Sequence, residues 1–236
     1  MQEFNYVGID PSLISTAVSV NGKLLNYCRE KDVYVKNGME KWHKMCDGLV
    51  EYKIVEYRKF SSYSEGEIIK LNDYDKITTS IVEDIKEMLN LEISTKIGLE
   101  GYSYGSGVGA IVDLVTFSTL LRKKLYDGIS KDITILSPAA LKLASCKMSY
   151  KPVEVETGVK KKKISIEHRN NEGLAGGKFT KREMFLSLVE NETWCDEWVN
   201  HLRTIKEDIL ANKTVKKPYE DVNDASLIER FLRWQV

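Results

Sequence analysis

Asp10, Glu100, Asp221 and Asp224 are the residues of this 236-residue chain whose types and spacing could do chemistry together. The last two stand three apart at the start of what reads as the final helix, a spacing that puts both carboxylates on one face. The other two end short apolar runs, 4–10 and 96–100, that read as strands. Acids carried from separate strands and a helix to one end of a sheet repel one another unless a cation lies among them. Oxygen ligands without histidine or cysteine suit Mg²⁺ or Mn²⁺, and carboxylates around phosphate-bridging metals are the ingredients of two-metal phosphodiester hydrolysis. Taken singly, each acid also reads as an ordinary exposed turn or helix-start carboxylate.

The elements that must position them follow from periodicity. Residues 4–10 run into the turn Asp10-Pro11-Ser12, and residues 15–20 meet Asn21-Gly22, a strong hairpin signal, so that 23–27 return beside them. Residues 29–72 are less regular: Trp42, His43, Met45 and Leu49 are spaced for a short helix, and 52–57 for a strand. From Asp73, Ile77, Ile81, Ile85 and Leu89 recur every four residues as an amphipathic helix requires, leading into the strand that ends at Glu100. A Gly-rich turn (Gly105, Gly107, Gly109), a helix through Leu125, a strand at 133–136 and a helix opened by Ser137-Pro138 come next. Helices are predicted from Thr180 to Leu188, over about 193–211 and over about 221–234. This order implies an α/β fold with a mixed five-stranded sheet, three antiparallel strands then two parallel, flanked by helices.

Composition bounds the function. Hydrophobic residues make up 42% and charged residues 30%, values of a folded globular chain rather than a disordered or collagenous one. The N-terminus lacks the basic flank and apolar run of a signal peptide, and no stretch reaches the ~18 apolar residues of a membrane span, so a cytoplasmic, intracellular protein with no membrane partner is expected. Four scattered cysteines and three histidines argue against a zinc site or disulfide framework. Thirty-five basic and thirty-five acidic residues sum to zero, yet 142–182 holds about eleven Lys/Arg against four Asp/Glu. That basic segment includes Lys160-Lys161-Lys162-Lys163 and a Gly-rich stretch, 173–178, and reads either as a solvated loop or as a phosphate-contacting arm. Gly105-Ser106-Gly107-Val108-Gly109 has neither the Lys-Ser/Thr pair of a P-loop nor the G-x-G-x-x-G register.

Five segments carry a resemblance. Val7-Gly8-Ile9-Asp10-Pro11-Ser12, Ile97-Gly98-Leu99-Glu100-Gly101-Tyr102, Leu136-Ser137-Pro138-Ala139-Ala140-Leu141-Lys142, Gly176-Gly177-Lys178-Phe179-Thr180-Lys181-Arg182-Glu183-Met184 and Asp221-Val222-Asn223-Asp224-Ala225 together resemble, in order and spacing, the RuvC-type Holliday junction resolvases of the RNase H-like superfamily, most of all their bacteriophage and viral members. The resemblance implies one RNase H-like nuclease domain over residues 1–236, with two stretches, about 29–72 and 146–175, departing from the compact pattern as insertions.

It further implies that Asp10, Glu100, Asp221 and Asp224 hold two Mg²⁺ ions, for which Mn²⁺ can substitute, about a scissile phosphate of branched DNA such as a four-way junction. Lys142, Lys178 and Lys181 are then candidate phosphate contacts, and Tyr102 and Tyr104 could stack on unpaired bases. Exposed lysines and half-buried ring packing are the plainer readings of these five. In such resolvases the helix after the catalytic Glu pairs with its two-fold mate, which implies a homodimer and gives Ile111, Leu114, Val115, Ser118 and Leu121 either an interface or a core role. The rival functions are a related nuclease acting on flaps, forks or RNA–DNA hybrids, an actin-like or sugar-kinase-type phosphotransferase, and a silent branched-DNA binder.

Overall fold

The computed structural model describes residues 3–29, 39–102, 108–157 and 163–235. Strands β1 (Phe4–Asp10), β2 (Ser15–Val20) and β3 (Lys23–Cys28) form the expected antiparallel meander. Helix α1 (Met39–Met45) and strand β4 (Val50–Ile54) follow, then helix α2 (Tyr63–Met88), strand β5 (Ser94–Glu100), helix α3 (Val108–Gly128), strand β6 (Ile133–Leu136) and helix α4 (Pro138–Ser149). The chain continues through strands β7 (Pro152–Thr157) and β8 (Lys163–His168), a 3₁₀ turn at Gly176–Lys178, and helices α5 (Lys181–Glu190), α6 (Glu197–Thr204), α7 (Lys206–Leu210) and α8 (Tyr219–Trp234).

The main sheet has the order β4-β3-β2-β1-β5-β6, with β5 parallel to both β1 and β6. This is the mixed parallel and antiparallel sheet expected from the sequence, with six strands where five were expected. The additional strand, β4, lies parallel to β3 at the edge, pairing Leu24 with Val50 through Cys28 with Ile54. Its pattern of one buried residue in five is that of an edge strand, which explains the weak sequence signal and the misplaced prediction at 52–57. Helix α2 starts ten residues before the expected Asp73, capped by Ser62, because its first turns expose Tyr63, Ile68 and Leu71 and so lack an apolar stripe. The predicted 193–211 helix is two helices, α6 and α7, broken at Ile205.

The basic segment is also more ordered than a loop. β7 and β8 pair into a separate antiparallel hairpin. The Gly-rich stretch after it is folded by Asn170, whose side chain accepts from the backbone of Glu172 (3.1 Å) and Leu174 (2.8 Å), and by Phe179, which is buried. Lys160, Lys161 and Lys162 lie outside the described residues.

Two cores sandwich the sheet, and the period of two along a strand sorts residues between them. Val7, Ile9, Ile97 and Leu99 face α2 and α3, packing with Ile77, Ile81, Ile85, Phe117, Leu121 and Leu125. The alternate residues Gly8, Asp10, Gly98 and Glu100 face α8. Gly8 and Gly98 are register partners, and a Cβ at either would run into α8: at Gly8 it would stand 2.1 Å from the Ala225 carbonyl oxygen, at Gly98 2.5 Å from an Ile228 methyl. The two glycines let α8 lie directly on the sheet. Glu229 fixes its far end, with a buried carboxylate that accepts from the Ser19 hydroxyl and the Gly22 amide (3.0 Å) and pairs with Arg233. Gly8→Ala is expected to lower stability by about 1–3 kcal/mol through overpacking and to reduce function by tilting α8. An unchanged urea midpoint would show that α8 yields without cost.

Candidate metal centre

Asp10 and Glu100 each come two residues after one of these glycines, so the same strand face that seats α8 carries both acids to its N-terminal end. The rotation of α8 is set on its other side: Trp198 Nε1 donates to Asn223 Oδ1 (3.1 Å), and the Tyr219 ring stacks on Trp198 with centroids 5.6 Å apart. With Asn223 anchored to α6, Asp221 and Asp224 turn toward the strand ends. Carboxylate oxygens of Asp10, Glu100 and Asp224 lie within 4.8 Å of one another. Asp221 is buried at 4% exposure beside this triplet but outside it.

The cluster is electrostatically strained. Burial raises the Asp10 carboxyl well above its usual range, helped by the charges of Glu100 and Asp221. Glu100 is raised by burial and then by Asp224, while Asp224, 1% exposed, is pushed up to about 8 by burial against the counteracting pull of Lys181. Glu220, a fifth acid, is raised by burial and by Asp221. Asp224 Oδ1 is buried with no hydrogen-bond partner. An oxygen-only donor set, mutually repelling and with a vacant buried lone-pair direction, fits a hard divalent cation. Such an ion would be held by Asp10, Glu100 and Asp224.

Lysines partly neutralise the site from two sides. Lys181, the first residue of α5, forms an ion pair with Asp224 Oδ2; burial disfavours its charge, but Asp224 and Glu100 outweigh this and raise its pKa. Its position depends on a capping box in which the Thr180 amide donates to Glu183 (2.7 Å) and Thr180 Oγ1 accepts from the Arg182 amide (3.2 Å). It depends too on Gly176, where a Cβ would meet Cys146 Cβ at 2.6 Å, so the turn before α5 lies flush on α4. On the other side Lys217 Nζ is 3.1 Å from Asp221 Oδ2. Lys217 and Glu220 are absent from the residues expected to form the site. The signal was available in the i, i+4 spacing of Lys217 and Asp221.

The remaining expected contacts are dispersed. Lys178 is exposed on the 3₁₀ turn, and Lys142 is half-buried in the second turn of α4, which Ser137 caps by accepting from the Ala140 amide (3.1 Å). Tyr102 is half-buried: the Arg122 guanidinium lies over its ring (4.5 Å to the centroid) and donates to its hydroxyl (3.1 Å). Tyr104 and the glycines at 105 and 107 lie outside the described residues. On α3, Ser118 and Leu121 are fully buried, which gives them a core role, whereas Ile111, Leu114 and Val115 are half-buried. Among the described residues no helix is long and apolar enough to cross a membrane.

No protein-family model matches the sequence, and no curated protein does. Among solved structures the chain is similar to Thermus thermophilus RuvC in complex with Holliday junction substrate, at 11% identity over 99% of this chain and 96% of that one, with a TM-score of 0.45. It is similar also to Thermus thermophilus RuvC at 13% identity, covering 97% and 95% of the two chains, with a TM-score of 0.44. A third similar structure is the yeast mitochondrial Holliday junction resolvase Ydc2, at 11% identity over 99% of this chain and 79% of that one, with a TM-score of 0.48.

Proposed function

We propose that this protein is a Mg²⁺-dependent, structure-selective DNA endonuclease that resolves four-way junctions or related branched DNA. The observation that carries this reading is the convergence of Asp10, Glu100 and Asp224 from two strands and a helix to within 4.8 Å, with Asp221 beside them and Asp224 Oδ1 buried without a hydrogen-bond partner. Mg²⁺ held by these carboxylates would supply activation of an attacking water and stabilisation of the leaving 3′ oxygen, chemistry that would yield a 5′-phosphate and a 3′-hydroxyl.

The chain's own residues supply the rest. Asp10, Glu100, Asp221 and Asp224 bind the ions, and burial keeps bulk water from their oxygens. Lys181 stands where it can reach the phosphate being cut and offset charge that develops in the transition state. Lys142 and Lys178 contact flanking phosphates, and Tyr102, with one face against Arg122, offers the other to an unpaired base. A homodimer paired through the half-buried residues of α3 presents two such sites to the two equivalent strands of a junction. This activity belongs inside the cell, where branched DNA arises; the single RNase H-like domain with its two insertions serves that one site.

The test is cleavage of end-labelled four-way, three-way, flap, RNA–DNA hybrid and linear substrates in Mg²⁺. Paired nicks at the branch of the four-way substrate are expected. Cleavage confined to the hybrid or the flap would overturn junction resolution in favour of the related nuclease activities.

A further inference from the structure

Asp221 belongs by sequence with the other three acids, yet its carboxylate stays outside the triplet of Asp10, Glu100 and Asp224. On its side of the site Lys217 Nζ stands 3.1 Å from Asp221 Oδ2, an ion pair in which that buried oxygen takes no hydrogen bond. The other groups that sense this corner include Glu220, raised by burial and by Asp221, and His43 of α1, whose pKa burial lowers against the opposing pull of Asp221. Lys181 holds Asp224 Oδ2 from the opposite side by a hydrogen-bonded ion pair, whereas Lys217 meets Asp221 Oδ2 at ion-pair distance while that oxygen takes no hydrogen bond. Three carboxylates stand together for a first divalent cation, and the fourth stands apart, beside an ammonium group that holds it by charge alone.

Resting on the nuclease reading, we propose that Lys217 is a positioning residue that gates the second cation site: it holds Asp221 in reserve, must release it before that carboxylate can coordinate, and on release carries its positive charge to a DNA phosphate. The arrangement links loading of the second ion to substrate. A phosphate beside the site offers Lys217 a replacement anion, so bound DNA favours the state in which Asp221 is free. Without DNA the ammonium group competes with the ion for one oxygen and makes the second site the weaker of the two.

The experiment is Mn²⁺ titration of the full chain without DNA, read by electron paramagnetic resonance of free Mn²⁺, for wild type, Lys217→Met and Lys217→Arg. Binding of the same proteins to a four-way junction is measured in Ca²⁺ over a salt series. In the wild type a tighter and a weaker site are expected. Lys217→Met should tighten the weaker site about tenfold while leaving the tighter one in place, and should weaken junction binding with a loss of about one in the slope of log K against log[salt]. Lys217→Arg should stay near wild type in both. A weaker site unchanged or further weakened in Lys217→Met, in a protein whose circular dichroism matches wild type, overturns the gate and leaves Lys217 a structural ion pair. A wild type that binds no Mn²⁺ overturns the metal reading itself, so the two failures are distinguishable.

Discussion

Asp224→Asn is expected to eliminate cleavage, by a factor of at least about 10³, and at the same time to make the metal-free protein more stable. The first effect follows from the loss of a carboxylate that belongs to the triplet and whose Oδ1 is buried without a hydrogen-bond partner. The second follows from electrostatics: Asp224 is 1% exposed and raised to about 8, so at alkaline pH the fold bears the cost of a buried charge beside Asp10 and Glu100. An amide of the same shape removes that repulsion. Lys181 loses an ion-pair partner but is partly exposed and still faces Glu100 and Asp10, so it remains compensated. A gain of roughly 1–2 kcal/mol at pH 9 corresponds to about 3–6 °C in Tm for a chain of this size. A catalytic residue that stabilises the protein when removed is difficult to reconcile with a merely structural role. If Asp224→Asn melts several degrees below wild type in chelator, the cluster is not strained as described.

The second large effect is a crossed dependence of stability on pH and Mg²⁺. Asp10, Glu100 and Asp224 all have folded-state pKa values above their unfolded values. The folded protein therefore holds protons that the unfolded chain has released, and stability of the metal-free form falls as pH rises from near 4, where unfolded carboxyls ionise, to about 8, where Asp224 gives up its proton. Mg²⁺ binds only the ionised cluster, so its stabilisation grows over the same window, reaching about 2.7 kcal/mol at a hundredfold excess over Kd. Melting curves from pH 5 to 9 in chelator and in millimolar Mg²⁺ should diverge steadily toward alkaline pH. Parallel curves would rule out a metal site built from these acids.

Much of this site was legible because its parts are local signals. Asp10 and Glu100 end strands with clear alternation, and Asp221 and Asp224 share a face by helix spacing alone. Their convergence was less directly readable: it needs Gly8 and Gly98 side by side in a parallel pair, and Asn223 turned away toward Trp198, all of which are contacts between segments remote in sequence. β4 was expected two residues too late, at 52–57, because an edge strand carries little apolar pattern, and the start of α2 escaped because its first turns face water. The 173–178 stretch looked like a loop because glycine usually marks one, whereas Gly176 serves close packing against Cys146. Lys217 was overlooked since it precedes its helix, where an i, i+4 pair is not sought.

The most direct measurement is single-turnover cleavage of a labelled four-way junction in Mg²⁺ by wild type and by Asp10→Asn, with binding followed in Ca²⁺. The account predicts paired nicks with 5′-phosphate ends from wild type, none from Asp10→Asn, and junction binding by both within a few-fold. Wild-type-like cutting by Asp10→Asn would contradict it.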